Sequence, residues 1–489
     1  MRQPVFTSAQ LPAYHEGMVV VKMRPSAEAL AMTATVRGAP EMLVGLPGLS
    51  ALSVFDRAGM VKRVVPLARQ PEQERVLMGT RSVVAALAAT AGPPPTPDPN
   101  AGVSLVELER DSDVPQLQMA LANDPHIEFV SRVPVRYLVA AARRRPQAAR
   151  PATGIQATPP PASTMWNLRK IRWAEARALG DFTEAVTIRA AVLDTGIDPD
   201  HPDLQGRVSS YAFAHPDLPD ASSNRDIIGH GTHVAGSMGA LINNALGING
   251  ICACQLAIWK IFDDVADYLP FRNEFAYFVD PVMYRRALAD CLEQGIDVIN
   301  LSIGGPGRPD PQEQHLFNVL LANGTTIVAA MGNERQFGSP TSYPAAIPGV
   351  IAVGATSLND RVANFSNRGN HISLSAPGVA IWSTLPTYPG QFGFEAVLGP
   401  GGLPIEGKPL RRDTDYDAWD GTSMASPHVA AAAALLVANR DKRNAAAVRA
   451  QLMKTADRVA GMNNRDFHPD YGAGRLNLLR LLSESEAVG

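Results

Sequence analysis

The segment Gly421-Thr422-Ser423-Met424-Ala425-Ser426-Pro427-His428 leads directly into an unbroken apolar run from Val429 to Val437. Such a run predicts a buried helix. The hydroxyl of Ser423 then lies at the N-terminus of that helix, in the positive end of the backbone dipole. A serine in this position is a candidate nucleophile, and the alternative is that Thr422 or Ser423 serves only as the N-cap of the helix.

Two further glycine-flanked segments supply the partners that a serine nucleophile needs. Asp194 lies in Ala191-Val192-Leu193-Asp194-Thr195-Gly196, and His230 lies in Gly229-His230-Gly231-Thr232-His233-Val234-Ala235-Gly236. A histidine can accept the serine proton, and a carboxylate fixes the tautomer of that histidine and stabilises its cation. Asp-Thr-Gly is also the signature of aspartic proteases, but those need a second such motif and the chain has none. Asp194, His230 and Ser423 are therefore the predicted catalytic residues.

The three segments, in the order acid, base, nucleophile, resemble those of the subtilisin-like serine proteases. The resemblance extends from about Trp166 to Leu481. It implies a three-layer α/β fold with a mainly parallel sheet, which agrees with the alternation of predicted strands and helices. It also implies a serine endopeptidase that hydrolyses peptide bonds through an acyl-enzyme and needs no cofactor for the chemistry. Two alternatives stay open, a catalytically silent peptide-binding protein and an esterase with the same nucleophile.

The same resemblance implies which residues contact the reacting carbonyl group and the substrate. Asn333 follows a predicted buried strand, Thr326–Ala330, and would donate its side-chain amide to the oxyanion. The substrate backbone and the pocket for the side chain before the scissile bond would be lined by Ser302, Ile303, Gly304, Ala330, Met331 and Gly332. No wall position is acidic, so we expect an apolar or mixed pocket, with Glu334 near its rim as a modest source of preference for basic side chains. A cis peptide bond is implied at Tyr343–Pro344.

A structural calcium site is a further expectation from the resemblance. The family's site uses the aspartate of a His-Pro-Asp-Leu turn and a loop after the helix of the catalytic histidine. Asp203 and Asn244 match these two parts, whereas the usual N-terminal glutamine has no clear counterpart. The alternative is a plain asparagine-rich turn.

The N-terminal third has an α/β pattern of its own, of about ferredoxin size. Strands are predicted at 18–23, 60–67, 103–109 and 127–139, and a helix at 113–123. The last part resembles the inhibitor-type propeptide of subtilisin-like zymogens, which predicts an inhibitory prodomain at 1–140, with an unrelated accessory domain as the alternative. Residues 141–163 form an Ala/Arg/Pro-rich linker, and residues 164–489 the catalytic domain. Matching the propeptide end places the scissile region near Tyr137 to Ala142.

Composition limits the possible partners and the compartment. The chain has 489 residues, a net charge of −3 and three cysteines, which suggests no nucleic-acid or membrane partner. Residues 1–163 carry 17 basic and 13 acidic residues and the remainder 27 and 34, which favours contact between the two parts. Cys252 and Cys254 are too close in sequence to pair easily, so no disulfide framework is expected. The first residues contain no apolar secretory segment, so we expect a cytoplasmic protein that acts on protein or peptide substrates and on its own prodomain.

Two segments are longer than the resemblance leads us to expect. Residues 385–419 predict an inserted hairpin or loop at the rim of the cleft, because they lead directly into the candidate nucleophile. Within them, 402–408 imitates a phosphate-binding loop, but Pro409 stands where the Ser or Thr of such a loop belongs. The aromatic-rich segment 263–281 either shapes distal substrate subsites or packs on itself.

Overall fold

A seven-stranded sheet forms the centre of the molecule. The computed structural model describes residues 12–24, 50–68, 98–138, 165–180, 182–215, 222–269, 273–438 and 444–486. The sheet has the order β15-β14-β13-β11-β6-β8-β7, and all its pairings are parallel. Its strands are β6 (Arg189–Asp194), β7 (Val208–Ala212), β8 (Gln255–Lys260), β11 (Val298–Leu301), β13 (Thr326–Ala330), β14 (Ile351–Thr356) and β15 (Leu374–Pro377).

Helices cover both faces of this sheet, which gives the predicted three layers. Successive side chains of a strand point to opposite faces, so in β6 Ala190 and Val192 enter one core while Ala191 and Leu193 enter the other. The first core is shared with α5 (His230–Gly239) and α8 (Thr422–Ala438), and the second with α6 (Pro281–Glu293) and α7 (Pro311–Ala322). The smaller helices are α3 (Trp166–Lys170), α4 (Trp173–Arg177), α9 (Ala445–Lys454) and α10 (Leu478–Glu486).

The N-terminal third is a separate four-stranded antiparallel sheet with the order β2-β3-β1-β4. Its strands β1 (Tyr14–Met23), β2 (Val61–Pro66), β3 (Val103–Leu108) and β4 (Ile127–Pro134) and its helix α2 (Val114–Ala122) lie where the sequence predicts them. The helix α1 (Ser50–Arg57) was not predicted, and it packs Leu52 and Phe55 into the core of this unit. The predicted final strand breaks after Pro134 and resumes as β5 (Tyr137–Leu138), while residues 139–140 and the linker 141–163 lie outside the described residues.

This unit docks on the first turns of α6 and α7 through buried polar contacts. The Arg136 guanidinium donates to both carboxylate oxygens of Glu313, at 3.0 and 2.7 Å, and to the carbonyl of Gly307 at 2.8 Å. Both side chains of this ion pair are almost completely buried. The Gln312 amide donates to the Asn100 amide oxygen at 2.9 Å. The ion pair holds the unit on the helices only when both Arg136 and Glu313 are present, because either charge alone would remain buried and unpaired.

The two long segments pair with each other. β9 (Asp267–Leu269) and β10 (Glu274–Ala276) form one antiparallel sheet with the hairpin of β17 (Gln391–Leu398) and β18 (Pro404–Arg411), in the order β18-β17-β10-β9. The hairpin predicted within 385–419 is present, formed by β17 and β18. That this segment is an insertion stays a prediction. Its stem ends in β19 (Tyr416–Trp419), which pairs with β16 (Ile381–Thr384) directly before α8. Within segment 263–281, β9 pairs with β10 and the rings of Tyr268 and Phe275 lie 5.3 Å apart, so the segment packs on itself, as one of the two expectations had it. β10 also pairs with β17 of the other long segment, which neither expectation anticipated.

The expectation that Cys252 and Cys254 do not pair is wrong. The structure joins them in a disulfide, with their Cα atoms 5.5 Å apart. This distance lies within the range that disulfides require, because the backbone bends at the single intervening residue and brings the two Cα atoms closer than an extended chain would. Cys291 is a buried free thiol on α6. Burial raises the pKa of the Cys291 thiol well above its ordinary value, which keeps the group protonated.

Candidate active site

Three side chains from different elements meet at the carboxyl edge of the central sheet. Asp194 is the last residue of β6, His230 the first residue of α5 and Ser423 the second residue of α8. The Nδ1–H of His230 donates to Oδ1 of Asp194 at 2.7 Å, and the Thr195 N–H donates to the same oxygen at 2.8 Å. Since a carboxylate only accepts, this bond leaves Nε2 as the basic nitrogen of a neutral imidazole. The Asp194 carboxylate thus orients the His230 ring in the way that a general base requires.

The Ser423 hydroxyl lies in a network of buried hydroxyl and amide groups. Its Oγ donates to the carbonyl of Ser302 at 3.0 Å, and the Ser302 hydroxyl donates to the carbonyl of Ser423 at 3.0 Å. The Asn300 side chain bonds both Ser302 and Ser426. Among the described residues, Nε2 of His230 is buried and has no hydrogen-bond partner. A transfer of the Ser423 proton to Nε2 would require the hydroxyl to turn away from the Ser302 carbonyl.

Asn333 is fixed by the residue that precedes the candidate nucleophile. Its Oδ1 accepts from the Thr422 N–H at 3.0 Å and from the Thr422 hydroxyl at 2.9 Å. Because an N–H can donate only to the oxygen of the amide, these bonds assign Oδ1 to the Thr422 side and Nδ2 to the opposite side. The orientation suits an amide that donates to an oxyanion near Ser423. The Thr422 hydroxyl also accepts from the Gly332 N–H at 3.1 Å, which joins the turn after β13 to the start of α8.

The predicted substrate-binding edge carries a strand of the N-terminal unit. β12 (Ile303–Gly304) pairs with β5 in antiparallel register, with Ile303 opposite Leu138 and Gly304 opposite Tyr137. A Cβ on the next residue, Gly305, would clash with the backbone carbonyl of Val135, so a larger residue would obstruct this approach. Strand β5 of the N-terminal unit therefore occupies the edge of β12 to which a substrate backbone would add.

The other predicted pocket residues lie at the end of β13 and in the turn that follows it. They are Ala330, Met331 and Gly332, and all three are buried. Gly332 has a φ of +102°, and a Cβ there would approach the side chains of Asn367 and Glu334. Glu334, expected near the rim, is instead buried and accepts from the Asn367 amide at 2.8 Å. Burial raises the pKa of the Glu334 carboxyl. Asn367 was not singled out from the sequence, since only the fold brings it to this turn. The Tyr343–Pro344 peptide bond is cis, as expected.

Aromatic packing supports the histidine side of the site. The Trp419 ring stacks on His233 with centroids 4.8 Å apart and lies 6.2 Å from the ring of His230. Burial lowers the pKa of His233 to about 3. His233 thus stays neutral throughout the physiological range, and its Nε2 lies 3.1 Å from the carbonyl of Ile381. These contacts fix the helix face that presents His230.

A second buried histidine gives a test of stability against pH. Burial lowers the pKa of His428 to about 4, while its Nδ1–H donates to the Met424 carbonyl at 2.8 Å. The unfolded histidine binds protons near pH 6.5. Its contribution to stability is therefore complete above pH 6.5 and is lost as the pH falls toward 4. We expect the free energy of unfolding of the Ser423→Ala chain to fall over this window, His428 contributing about 1.4 kcal/mol per pH unit.

The measurement is urea unfolding by circular dichroism at half-unit steps from pH 7.5 to 4.5. The His428→Gln variant of the same inactive chain is the control, because it keeps a polar side chain but cannot gain a proton. Over this pH window the slope of its free energy of unfolding against pH should be smaller, by the equivalent of about one bound proton. Parallel curves for the two chains would contradict the assignment.

Asp203 and Asn244 meet as expected, but as a hydrogen-bonded pair. The Asn244 amide donates to Oδ1 of Asp203 at 2.6 Å, and Oδ2 accepts from the Ile248 N–H and the Tyr416 hydroxyl, both at 2.9 Å. Oδ1 of Asn244 accepts from the Leu246 N–H, which fixes the amide orientation. A calcium ion needs six to eight oxygen ligands facing it, whereas Asp203 faces donors. In the described ranges no three His, Cys, Asp or Glu side chains form a metal-binding group. In this arrangement the Asp203 carboxylate is satisfied without an ion, and a calcium site here stays a prediction from the resemblance.

A chelator should accordingly leave the thermal stability unchanged, whereas loss of the Tyr416 hydroxyl should lower it. Removing one donor from a buried carboxylate costs about 1–3 kcal/mol, so the Tyr416→Phe variant should melt several degrees below wild type. The measurement is the melting temperature of the Ser423→Ala chain with EDTA and with added calcium, with and without this second substitution. A rise on adding calcium to the chelator-treated chain would show that the site does bind the ion.

The comparisons with known proteins identify the family to which the chain and its fold belong. Residues 186–474 match the Subtilase family. The chain is 33% identical to subtilisin E of Bacillus subtilis (strain 168) over 296 residues, which are 60% of this chain and 64% of subtilisin E. It is 32% identical to thermitase of Thermoactinomyces vulgaris over 302 residues, 61% of this chain and 89% of thermitase. The chain thus spans slightly less than two thirds of the subtilisin E sequence but most of thermitase.

A solved structure extends the likeness to the whole fold. The crystal structure of fervidolysin from Fervidobacterium pennivorans, described as a keratinolytic enzyme related to subtilisin, matches with a TM-score of 0.61 and 21% identity. The match covers 98% of this chain and 64% of that one. The chain belongs to the Subtilase family, and its three-layer α/β fold is that of subtilisin. In the described segments no helix is long and apolar enough to cross a bilayer.

Proposed function

We propose that this protein is a serine endopeptidase. Ser423 attacks the scissile carbonyl carbon, and His230 accepts its proton and later gives it to the leaving amine. Asp194 orients His230 and stabilises its cation, and Asn333 with the Ser423 N–H stabilises the oxyanion. The edge at Ser302–Gly304 binds the substrate backbone as an added strand, and Ala330, Met331 and Gly332 line the pocket before the scissile bond.

One observation carries this proposal. The 2.7 Å bond from Nδ1 of His230 to Asp194 fixes the neutral tautomer with Nε2 as the base, in a helix that packs against the helix of Ser423. A peptide-binding protein without catalysis has no need of a buried carboxylate that sets this tautomer. Family membership supports the same conclusion.

The N-terminal unit is proposed to act as an inhibitory prodomain. Its β5 lies along the proposed substrate-binding edge and forms the first part of the proposed scissile region, Tyr137 to Ala142. An added strand of this kind uses the backbone contacts of a substrate while it excludes one. The protein is then made as a zymogen that cuts itself, with residues 1–140 as its first partner.

The test uses Ser423→Ala beside wild type. Wild type should react with a fluorophosphonate probe, should cleave peptide amides as well as esters, and should shorten on incubation with a new N-terminus after Tyr137. The Ser423→Ala chain should do none of these and should stay at full length. Cleavage of esters alone would favour the esterase. Full peptidase activity with residue 1 still attached would contradict the prodomain while leaving the peptidase standing.

A further inference from the structure

The loop that leads into His230 is organised by a buried carboxylate. Oδ1 of Asp226 accepts from the Thr195 hydroxyl at 2.7 Å and from the Gly229 N–H at 2.8 Å. Its Oδ2 accepts from the N–H and the hydroxyl of Thr232, at 2.9 and 2.7 Å. Thr195 adjoins Asp194 in the sequence, and Gly229 adjoins His230. Asp226 therefore connects the backbone beside the proposed acid to the backbone beside the proposed base.

The backbone of this loop is held from outside by the base of the inserted hairpin. Arg412 follows β18, and its Nε donates to the Ile227 carbonyl at 3.0 Å while its Nη2 donates to the Asp226 carbonyl at 3.2 Å. The Asp226 N–H donates to the Tyr388 hydroxyl at 2.8 Å. The Gln391 N–H donates to the Ile227 carbonyl at 3.0 Å. The insertion thus satisfies the polar groups of Asp226 and Ile227, which lie four and three residues before His230.

The site of Arg412 is shaped for a guanidinium group. Arg412 is only 8% exposed, and all four of its hydrogen-bond acceptors are backbone carbonyls. It forms no ion pair with any described residue. Gly229 has a φ of +84°, and a Cβ there would lie 2.8 Å from Cδ and Nε of Arg412, while a Cβ on Gly390 would lie 2.6 Å from Nε and Nη2. A planar fork that bridges two adjacent carbonyls cannot be replaced by the single ammonium of lysine.

A buried arginine whose charge has no carboxylate partner is costly, because desolvation disfavours the cation. Burial indeed lowers the pKa of Arg412 below its ordinary value. Its contacts are confined to the segment that precedes His230 and to its own insertion. If the side chain of residue 412 served only to stabilise the insertion, an apolar side chain would do so as well. The geometry instead directs the guanidinium at the two carbonyls that set the path of the chain into α5.

We propose that Arg412 is a positioning residue for the general base, through which the inserted hairpin fixes the placement of His230. The inference rests on the proposed peptidase function and goes beyond it, since it assigns a role in turnover to an insertion. Arg412 touches neither substrate nor the reacting atoms. Its loss lets the loop at Asp226 and Ile227 shift, and a misplacement of about 1 Å in a catalytic group costs roughly 100-fold in rate.

The test compares Arg412→Ala, Arg412→Lys and Tyr388→Phe in the full chain, with a peptide amide substrate and with melting temperature as a folding check. Arg411→Ala is the matched control, because Arg411 is exposed and directly precedes Arg412 as the last residue of β18. We expect kcat to fall about 10–100-fold in Arg412→Ala, with KM changed less than about threefold. Arg412→Lys should recover little of the loss, and Tyr388→Phe should show a smaller fall of about threefold to tenfold.

Added methylguanidinium should restore part of the kcat of Arg412→Ala and nothing in the other chains, since it can fill the vacated fork. A structural role alone predicts no such rescue. An unchanged kcat in Arg412→Lys and Tyr388→Phe would overturn the proposal even if Arg412→Ala does not fold. So would a loss in Arg412→Ala that appears in KM, or that no guanidinium rescues. Failure of wild type to cleave the substrate or to label with fluorophosphonate would instead reject the proposed function.

Discussion

Replacing Asn333 by alanine is expected to lower kcat for peptide amides by about 100- to 1000-fold, with a smaller change in KM. Loss of one oxyanion donor costs roughly 3–4 kcal/mol of transition-state stabilisation, a magnitude established on a subtilisin and carried over to this relative. The ground-state carbonyl gains little from the amide, so the loss falls on turnover rather than on substrate affinity. Single-turnover kinetics of acylation measure this loss directly, because product release does not contribute to the observed rate.

The matched variant is Asn333→Asp. It keeps the shape of the side chain and an oxygen that accepts from Thr422, at 3.0 Å in the present structure. It replaces the donor by an acceptor, so acylation should fall at least as far as in Asn333→Ala. The melting temperatures of the two variants separate the lost donor from a disturbed turn. Acylation at the wild-type rate in either chain would remove Asn333 from the proposed mechanism.

The second large effect is expected at the buried ion pair between the N-terminal unit and α7. Arg136→Ala leaves the Glu313 carboxylate buried without its cation, and breaking such a pair costs about 3–5 kcal/mol. If β5 blocks the cleft, the opened fraction of the uncleaved chain rises by about 100- to 1000-fold. The measurement is the initial rate of fluorophosphonate labelling of the full-length band on a gel.

Arg132→Ala is the control, because Arg132 also lies at the end of this unit but pairs with Asp111 of the unit itself. Its labelling rate should stay near that of wild type. The double substitution Arg136→Met with Glu313→Gln removes both charges together, and it should label more slowly than Arg136→Ala alone. Equal labelling by Arg136→Ala and wild type would show that the ion pair does not hold the cleft closed.

The motifs of the sequence, through the family that they resemble, were sufficient to predict the class of fold. The apolar run after Ser423 predicted the buried helix α8, and the strand Thr326–Ala330 lies where the sequence placed it. Residues at the carboxyl ends of parallel strands meet at one edge of the sheet, so their separation in the sequence did not obscure the site. The substrate edge was also predicted, although not that β5 pairs with it.

Features that depend on distant pairing were missed for a physical reason. The pairing of β10 with β17 joins segments more than 100 residues apart, and hydrophobic periodicity within either one carries no information about the other. Nothing in the sequence singles out Arg136 and Arg412, because arginines are usually solvated and the burial of these two depends on acceptors that only the fold assembles. The Cys252–Cys254 pair was rejected on sequence distance, although the distance between the Cα atoms decides.

The sheet shared by the two long segments has a consequence for shortening this protein to a minimal scaffold. β10 and β17 each supply the backbone partners of the other. Deleting only the hairpin at 391–411 would leave β10 with unpaired N–H and C=O groups along an open edge, which is a template for association between molecules. The tip of the hairpin already exposes Leu398 and Leu403 at 82% and 69%. The two segments thus form one structural unit, and a shortened or grafted version should keep or remove both of them together.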